Sequence, residues 1–168
     1  MRPLLPLSVA LLSLACKAED PQPHAHQSGA YTVTFLTEWD GGDCRFDTVY
    51  ANFDPVGTTV DADAAAGSMA VAFDEGDQVL DCDLDVNAFG CPPVFFFEQD
   101  LSRDGKDAVV SVSFGLAGEW TSDSAFSGSY AHHFACDGAD CGSLDGTAYG
   151  ADAAFPCQLT GDFSAAAN

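Results

Sequence analysis

From residue 30 onward, apolar and polar side chains alternate with a period of two. Tyr31, Val33, Phe35, Thr37 and Trp39 fall on one face of an extended segment, and Thr32, Thr34, Leu36 and Glu38 fall on the other, the signature of a strand with one buried side. Asp40-Gly41-Gly42-Asp43 then supplies turn chemistry, and Cys44 to Phe53 reads as a second strand, so a hairpin is expected here. The alternation returns at Met69, Val71 and Phe73 between alanines, and at Leu80, Cys82, Leu84 and Val86 between Asp81, Asp83 and Asp85. After the turn Arg103-Asp104-Gly105-Lys106 it resumes at Ala108, Val110, Val112 and Phe114, and again at Phe126, Gly128, Tyr130, His132, Phe134 and Cys136. Val94-Phe95-Phe96-Phe97 breaks the rule. It is apolar on both faces, which predicts a strand that is central or covered on both sides.

No window long enough for a helix carries a helical apolar stripe, and turn signals recur at intervals of roughly 8–12 residues, the spacing of all-β folds. The expected architecture is all-β, an antiparallel β-barrel or β-sandwich of about eight to ten strands, with the run of sequential hairpins tilting the choice toward a barrel. Hydrophobic residues make up 47% of the chain and include 13 Phe, enough to build a core. With no internal repeat and no second linker, residues 30–168 read as a single β-domain.

The amino-terminal segment follows different rules. One positive charge at Arg2 precedes an apolar run from Pro3 to Leu14, well short of the roughly 20 residues a spanning helix needs, so residues 1–15 read as an export signal. Ser13-Leu14-Ala15-Cys16 resembles the lipobox of bacterial lipoproteins, in which small residues precede a cysteine that is lipidated on sulfur and becomes the new amino terminus. The resemblance implies that Cys16 is the lipidation site, that the membrane is a partner through it, and that the chain belongs to the bacterial cell envelope. By analogy with lipoprotein sorting in enterobacteria, Lys17 after that cysteine implies an outer-membrane lipoprotein facing the periplasm or the cell surface. Residues 16–29, ending in KAEDPQPHAHQSG, lack apolar periodicity and carry two prolines, so they read as lipid anchor and flexible tether.

Cysteine usage points to the same compartment. Of the seven cysteines, removal of Cys16 leaves Cys44, Cys82, Cys91, Cys136, Cys141 and Cys157, an even set expected to form disulfides in an oxidising space. Fifteen connectivities are possible for six cysteines. The preferred one joins near neighbours, Cys82 to Cys91 and Cys136 to Cys141, and leaves Cys44 to close a long loop with Cys157.

Charge narrows the partners. Acidic residues number 26 against 5 basic ones, for a formal net charge of −21, so nucleic acid and anionic headgroups are repelled and no nucleic-acid partner is expected. Asp81, Asp83 and Asp85 are the candidate metal ligands, for Ca²⁺. They do not form an EF-hand loop, because position 6 of that alignment is Val86 and position 12 is Pro92. The simpler reading is a carboxylate stripe on the wet face of a strand, its members about 7 Å apart; a bound cation would relieve their repulsion. Asp137-Gly138-Ala139-Asp140, between Cys136 and Cys141, reads as a stapled acidic turn. His132 and His133 are expected on opposite faces of one strand, His132 inward, and His24 and His26 lie in the tether as weak candidates for a transition metal. Nucleophile elbows, zinc-protease, P-loop and dinucleotide motifs do not occur. No catalytic residue and no resident cofactor are expected. The function that follows is a non-enzymatic binding or envelope-interaction module for a protein, glycan or small ligand; a lipocalin-like small-ligand carrier with an apolar barrel cavity, or a hydrolase, are the alternatives.

Overall fold

The computed structural model describes residues 22–36, 41–46, 55–74 and 78–168. The export signal, Cys16, Trp39, Tyr50 and most of the expected 44–53 strand lie outside the described residues. Among the described residues, nine antiparallel strands form one sheet: β1 (Gly29–Phe35), β2 (Gly41–Gly42), β3 (Val56–Asp63), β4 (Ser68–Phe73), β5 (Val79–Asp85), β6 (Ala88–Asp100), β7 (Val109–Ser122), β8 (Ala125–Asp137) and β9 (Cys157–Ala167). The order β1-β3-β4-β5-β6-β7-β8-β9 closes on itself through a β1–β9 ladder, Tyr31 opposite Ala167 to Phe35 opposite Phe163, so the fold is a closed barrel. β2 extends the β9 edge beyond the point where β1 stops. The hairpin expected between residues 31–39 and 44–53 is not what β1 makes. Both of its edges are taken, one by β3 and the other by β9, and Gly41–Gly42, expected as turn, pairs with Leu159 and Thr160.

The alternation translates directly into an inside and an outside. In β5, Leu80, Cys82 and Leu84 are buried while Val79, Asp81, Asp83 and Asp85 are exposed. In β7, Val110, Val112, Phe114, Leu116 and Trp120 point inward. Eight strands make an interior just wide enough for side chains to fill, and here rings fill it. Phe126, 1% exposed, meets Trp120 at 5.1 Å, Tyr31 at 5.4 Å, Phe89 at 5.5 Å and Phe163 at 6.1 Å between centroids. Tyr130 takes its place because its cross-strand neighbour is Gly161; a Cβ there would sit 2.5 Å from the phenol oxygen, so the ring lies over bare backbone.

One end of this core is plugged by the chain's own lead-in. Residues 22–28, expected to belong to a flexible tether, are fastened to the β5–β6 and β7–β8 turns. The amides of His24 and Ala25 donate to Asn87 Oδ1 (2.8 Å) and Asp123 Oδ1 (2.9 Å), and the Tyr31 hydroxyl donates to the Gln27 carbonyl at 2.6 Å. His26 is buried and packs on Trp120 with centroids 4.9 Å apart. Residues 22–28 are therefore docked on the barrel rather than free, because these polar residues satisfy groups of the two turns.

At the other end the sheet does not stop with the barrel. β5 and β6 pair only from Asp83 opposite Gly90 to Asp85 opposite Ala88. Pro92 and Pro93 follow and have no N–H to offer a ladder, so β6 leaves β5 and continues with β7 alone to Asp100 opposite Val109. On the overhanging halves of β7, β8 and β9, Val110, Val112, Phe134 and Leu159 form a second core with Leu101 and Leu144 from the adjoining connections. Phe46 closes over it, 4.9 Å from Phe134 and 5.1 Å from Tyr149. Three disulfides lie along the structure. Cys82–Cys91 (Cα–Cα 4.0 Å) ties β5 to β6 just before they part, Cys44–Cys157 (5.0 Å, 113 residues apart) pins the second core's cover to β9, and Cys136–Cys141 (5.8 Å) closes the loop after β8. That loop is also held from outside: Asp140 Oδ2 accepts the Asp107 amide at 2.7 Å.

Candidate functional site

The overhang exposes what the barrel hides. Phe95, Phe96 and Phe97 are 58%, 42% and 41% exposed, which overturns the expectation that Val94–Phe97 forms a central or doubly covered strand. The physical reason is the proline pair. An apolar run on both faces is covered only if the strand has neighbours on both sides, and among the described residues β7 is the one strand paired with Val94–Asp100.

Cross-strand register sorts the exposed side chains onto two faces. Phe95, Ser113, His133 and Gln158 stand directly opposite one another on β6, β7, β8 and β9, forming one polar row with a phenyl ring at its end. Together with Asp43 they line an open groove of about 400 Å³ on the outside of the sheet. Glu98 and Asp100 follow on this face, opposite Ser111 and Val109. A register shift between Phe95 and Phe97 places Phe96 and Phe97 together on the concave side, where Phe97 stands opposite the inward Val112 and Phe96 lies 6.2 Å from Phe114 and 6.0 Å from His132.

His132 and His133 separate as their adjacency in a strand requires. His132 packs 4.9 Å from the Phe114 ring, and burial, aided by the neighbouring charge of His133, lowers its pKa to about 4. His133 faces the groove. The groove holds serines, a histidine and an aspartate, yet Asp43 Oδ1 accepts from the backbone N–H of Gln158 at 2.6 Å. Among the described residues, no hydrogen bond joins Ser111 or Ser113 to His133. The arrangement offers hydrogen-bond donors and acceptors beside a ring, without a proton relay.

The remaining sites predicted from the sequence do not converge on this surface. Asp81, Asp83 and Asp85 form an exposed stripe on the outer face of β5, as strand geometry requires. The one grouping of three ligand-type side chains among the described residues is Asp43, Cys44 and Cys157, and its two sulfurs are bonded to each other. His26 is enclosed against Trp120, and His24 stands 3.5 Å from the Asp123 carboxylate. Period-two reasoning misses the groove because it sorts faces within one strand and does not give the register that sets Phe95, Ser113, His133 and Gln158 side by side on four strands; the signal available is Pro92-Pro93 immediately before the phenylalanines. No known protein family, curated protein or solved structure matches this chain.

Proposed function

We propose that this chain is an exported, non-enzymatic binding module, held at the bacterial outer membrane through a lipid on Cys16, that engages its partner with the β6 overhang. The observation that carries this reading is the exposure of three consecutive phenylalanines on a strand edge. Large apolar side chains grouped on a surface mark interaction sites, and an open apolar edge is a liability unless something pairs with it. The docked lead-in supports a short anchor, with only the residues before Gln22 left as spacer. The filled barrel interior, in which Phe126 touches four rings, favours a surface binder over a lipocalin-like carrier, and the absence of a relay among the described groove residues favours binding over hydrolysis.

Titration with the fluorophore anilinonaphthalene sulfonate tests the surface. The reading expects bound fluorescence that the double variant Phe95→Ser/Phe97→Ser removes. Fluorescence indifferent to those changes but lost when the barrel is narrowed by Leu80→Phe would establish the carrier instead. Intact-mass measurement on the mature protein checks the anchor: acyl chains on Cys16 support it, and an unmodified thiol there removes it.

A further inference from the structure

The geometry points to a definite kind of partner for this edge: an extended peptide segment alternating basic and apolar residues, which adds as a strand beside Val94–Asp100. This inference rests on the binding-module reading and specifies what is bound. The first support is main-chain. One edge of Val94–Asp100 is paired with β7, while on the other edge the ladder with β5 has already ended at Gly90. Among the described residues no strand pairs with this edge, and its regular stretch, Phe97–Asp100, offers backbone donors and acceptors to another strand, the arrangement used in strand addition.

The second support is the chemistry of the two faces. A strand added here presents alternate side chains to opposite sides of the sheet. Those on the concave side meet Phe96 and Phe97, exposed rings that favour apolar contact. Those on the outer side meet Glu98 and Asp100 on β6 itself. Lysine or arginine suits the outer positions, because its charge answers these carboxylates and its aliphatic stem lies along Phe95. The net charge of −21 draws such a segment in and repels a second copy of this chain.

The test uses the purified mature protein and three synthetic peptides of equal length: one alternating Lys and Val, one alternating Glu and Val, and a Lys-Val peptide whose central Val is replaced by Pro. The Lys-Val peptide is expected to bind, to protect amides within residues 94–100 from hydrogen exchange, and to weaken with added salt. The proline peptide keeps the charge but loses a backbone donor and blocks the ladder, so its affinity is expected to fall about tenfold or more. Phe96→Ser/Phe97→Ser is expected to weaken the Lys-Val peptide comparably, and Glu98→Lys to shift preference toward the Glu-Val peptide. Equal binding of the proline and parent peptides, or binding without protection at 94–100, overturns strand addition in favour of loose charge attraction. A concentration-dependent dimer abolished by Phe97→Asp overturns it in favour of a second copy, and phosphatidylcholine-vesicle binding abolished by that variant does so in favour of a membrane surface. No binding of the Lys-Val peptide, with fluorophore binding still sensitive to Phe95 and Phe97, overturns this inference while leaving the binding surface intact. Loss of that sensitivity as well overturns both.

Discussion

The closed barrel and the overhang are made from the same strands, yet they solve opposite problems. In the barrel, β6, β7, β8 and β9 have neighbours on both edges, and their inward rings pack against the rings of the opposite wall. In the overhang, among the described residues, the same strands have no opposite wall of strands. Their inner face is covered by Phe46 and by a segment contributing Leu144, Tyr149 and Phe155, with little regular pairing beyond the Leu144–Gly150 bridge. Closure gives the first region a continuous apolar core, to which Cys82–Cys91 adds one crosslink. The second needs crosslinks, and two of the three disulfides are there, Cys44–Cys157 and Cys136–Cys141. The lesson is that a sheet edge can be left open when the barrel beneath it holds the register.

Cutting the crosslink that closes the longest loop should produce the largest effect. Cys44–Cys157 closes a loop of 113 residues, for which the chain-entropy relation gives about 5 kcal/mol, against about 2 kcal/mol for a loop as short as Cys136–Cys141. Cys44→Ala/Cys157→Ala should therefore lower the denaturation midpoint far more than Cys136→Ala/Cys141→Ala. Equal losses from the two pairs would mean that local packing, and not loop closure, sets their contribution. Next in size is Phe126→Ala, which opens a void at the centre of the barrel and should cost roughly 3–5 kcal/mol, read by chemical denaturation. If the overhang is supported by the barrel, its hydrogen-exchange protection should fall in that variant too.

Much of this division is legible in the sequence, for reasons that differ by residue. Leu80, Cys82 and Leu84 alternate with aspartates that have no place in a core, so the two faces of β5 follow from polarity alone. Cys82 and Cys91, and Cys136 and Cys141, are close enough in sequence that pairing them leaves Cys44 for Cys157, and the structure joins the same pairs. Closure itself is non-local. Nothing near Tyr31 announces that its far edge belongs to Ala167, and the expected hairpin with 44–53 used a turn signal at Gly41-Gly42 that the fold uses as strand. The phenylalanine run misleads for a related reason. Hydrophobicity on both faces signals burial only when the neighbours exist, and two prolines remove one of them. The lead-in was masked by composition, since His26 reads as polar linker until Trp120 supplies the surface that buries it.

Protonation of His132 offers a smaller test of how the two regions join, because this residue sits where Phe114 of the barrel and Phe134 of the overhang meet. Its folded pKa of about 4 lies below the ordinary 6.5, chiefly through burial. The unfolded chain therefore takes up the proton first as pH falls. The stability this group contributes is complete above pH 6.5 and is lost between there and about pH 4. Between pH 7 and pH 5 the loss should be about 2 kcal/mol. His132→Phe keeps the ring and removes the titration, so its midpoint should change less over that interval; an identical slope in both proteins would assign the pH response to other groups.

The smallest stability effect sharpens the comparison most. Phe126 and Phe95 are the same residue type on strands of one sheet, at 1% and 58% exposure. Phe95→Ser removes a ring that the overhang does not need for its own packing, and exposed substitutions of this kind fall within about 0.5 kcal/mol of zero. A midpoint unchanged within that margin, alongside lost binding, would establish that this ring is kept for a partner and not for the fold. A loss near that of Phe126→Ala would instead mean that Phe95 is covered by this chain itself in solution, and that the open edge is closed from within.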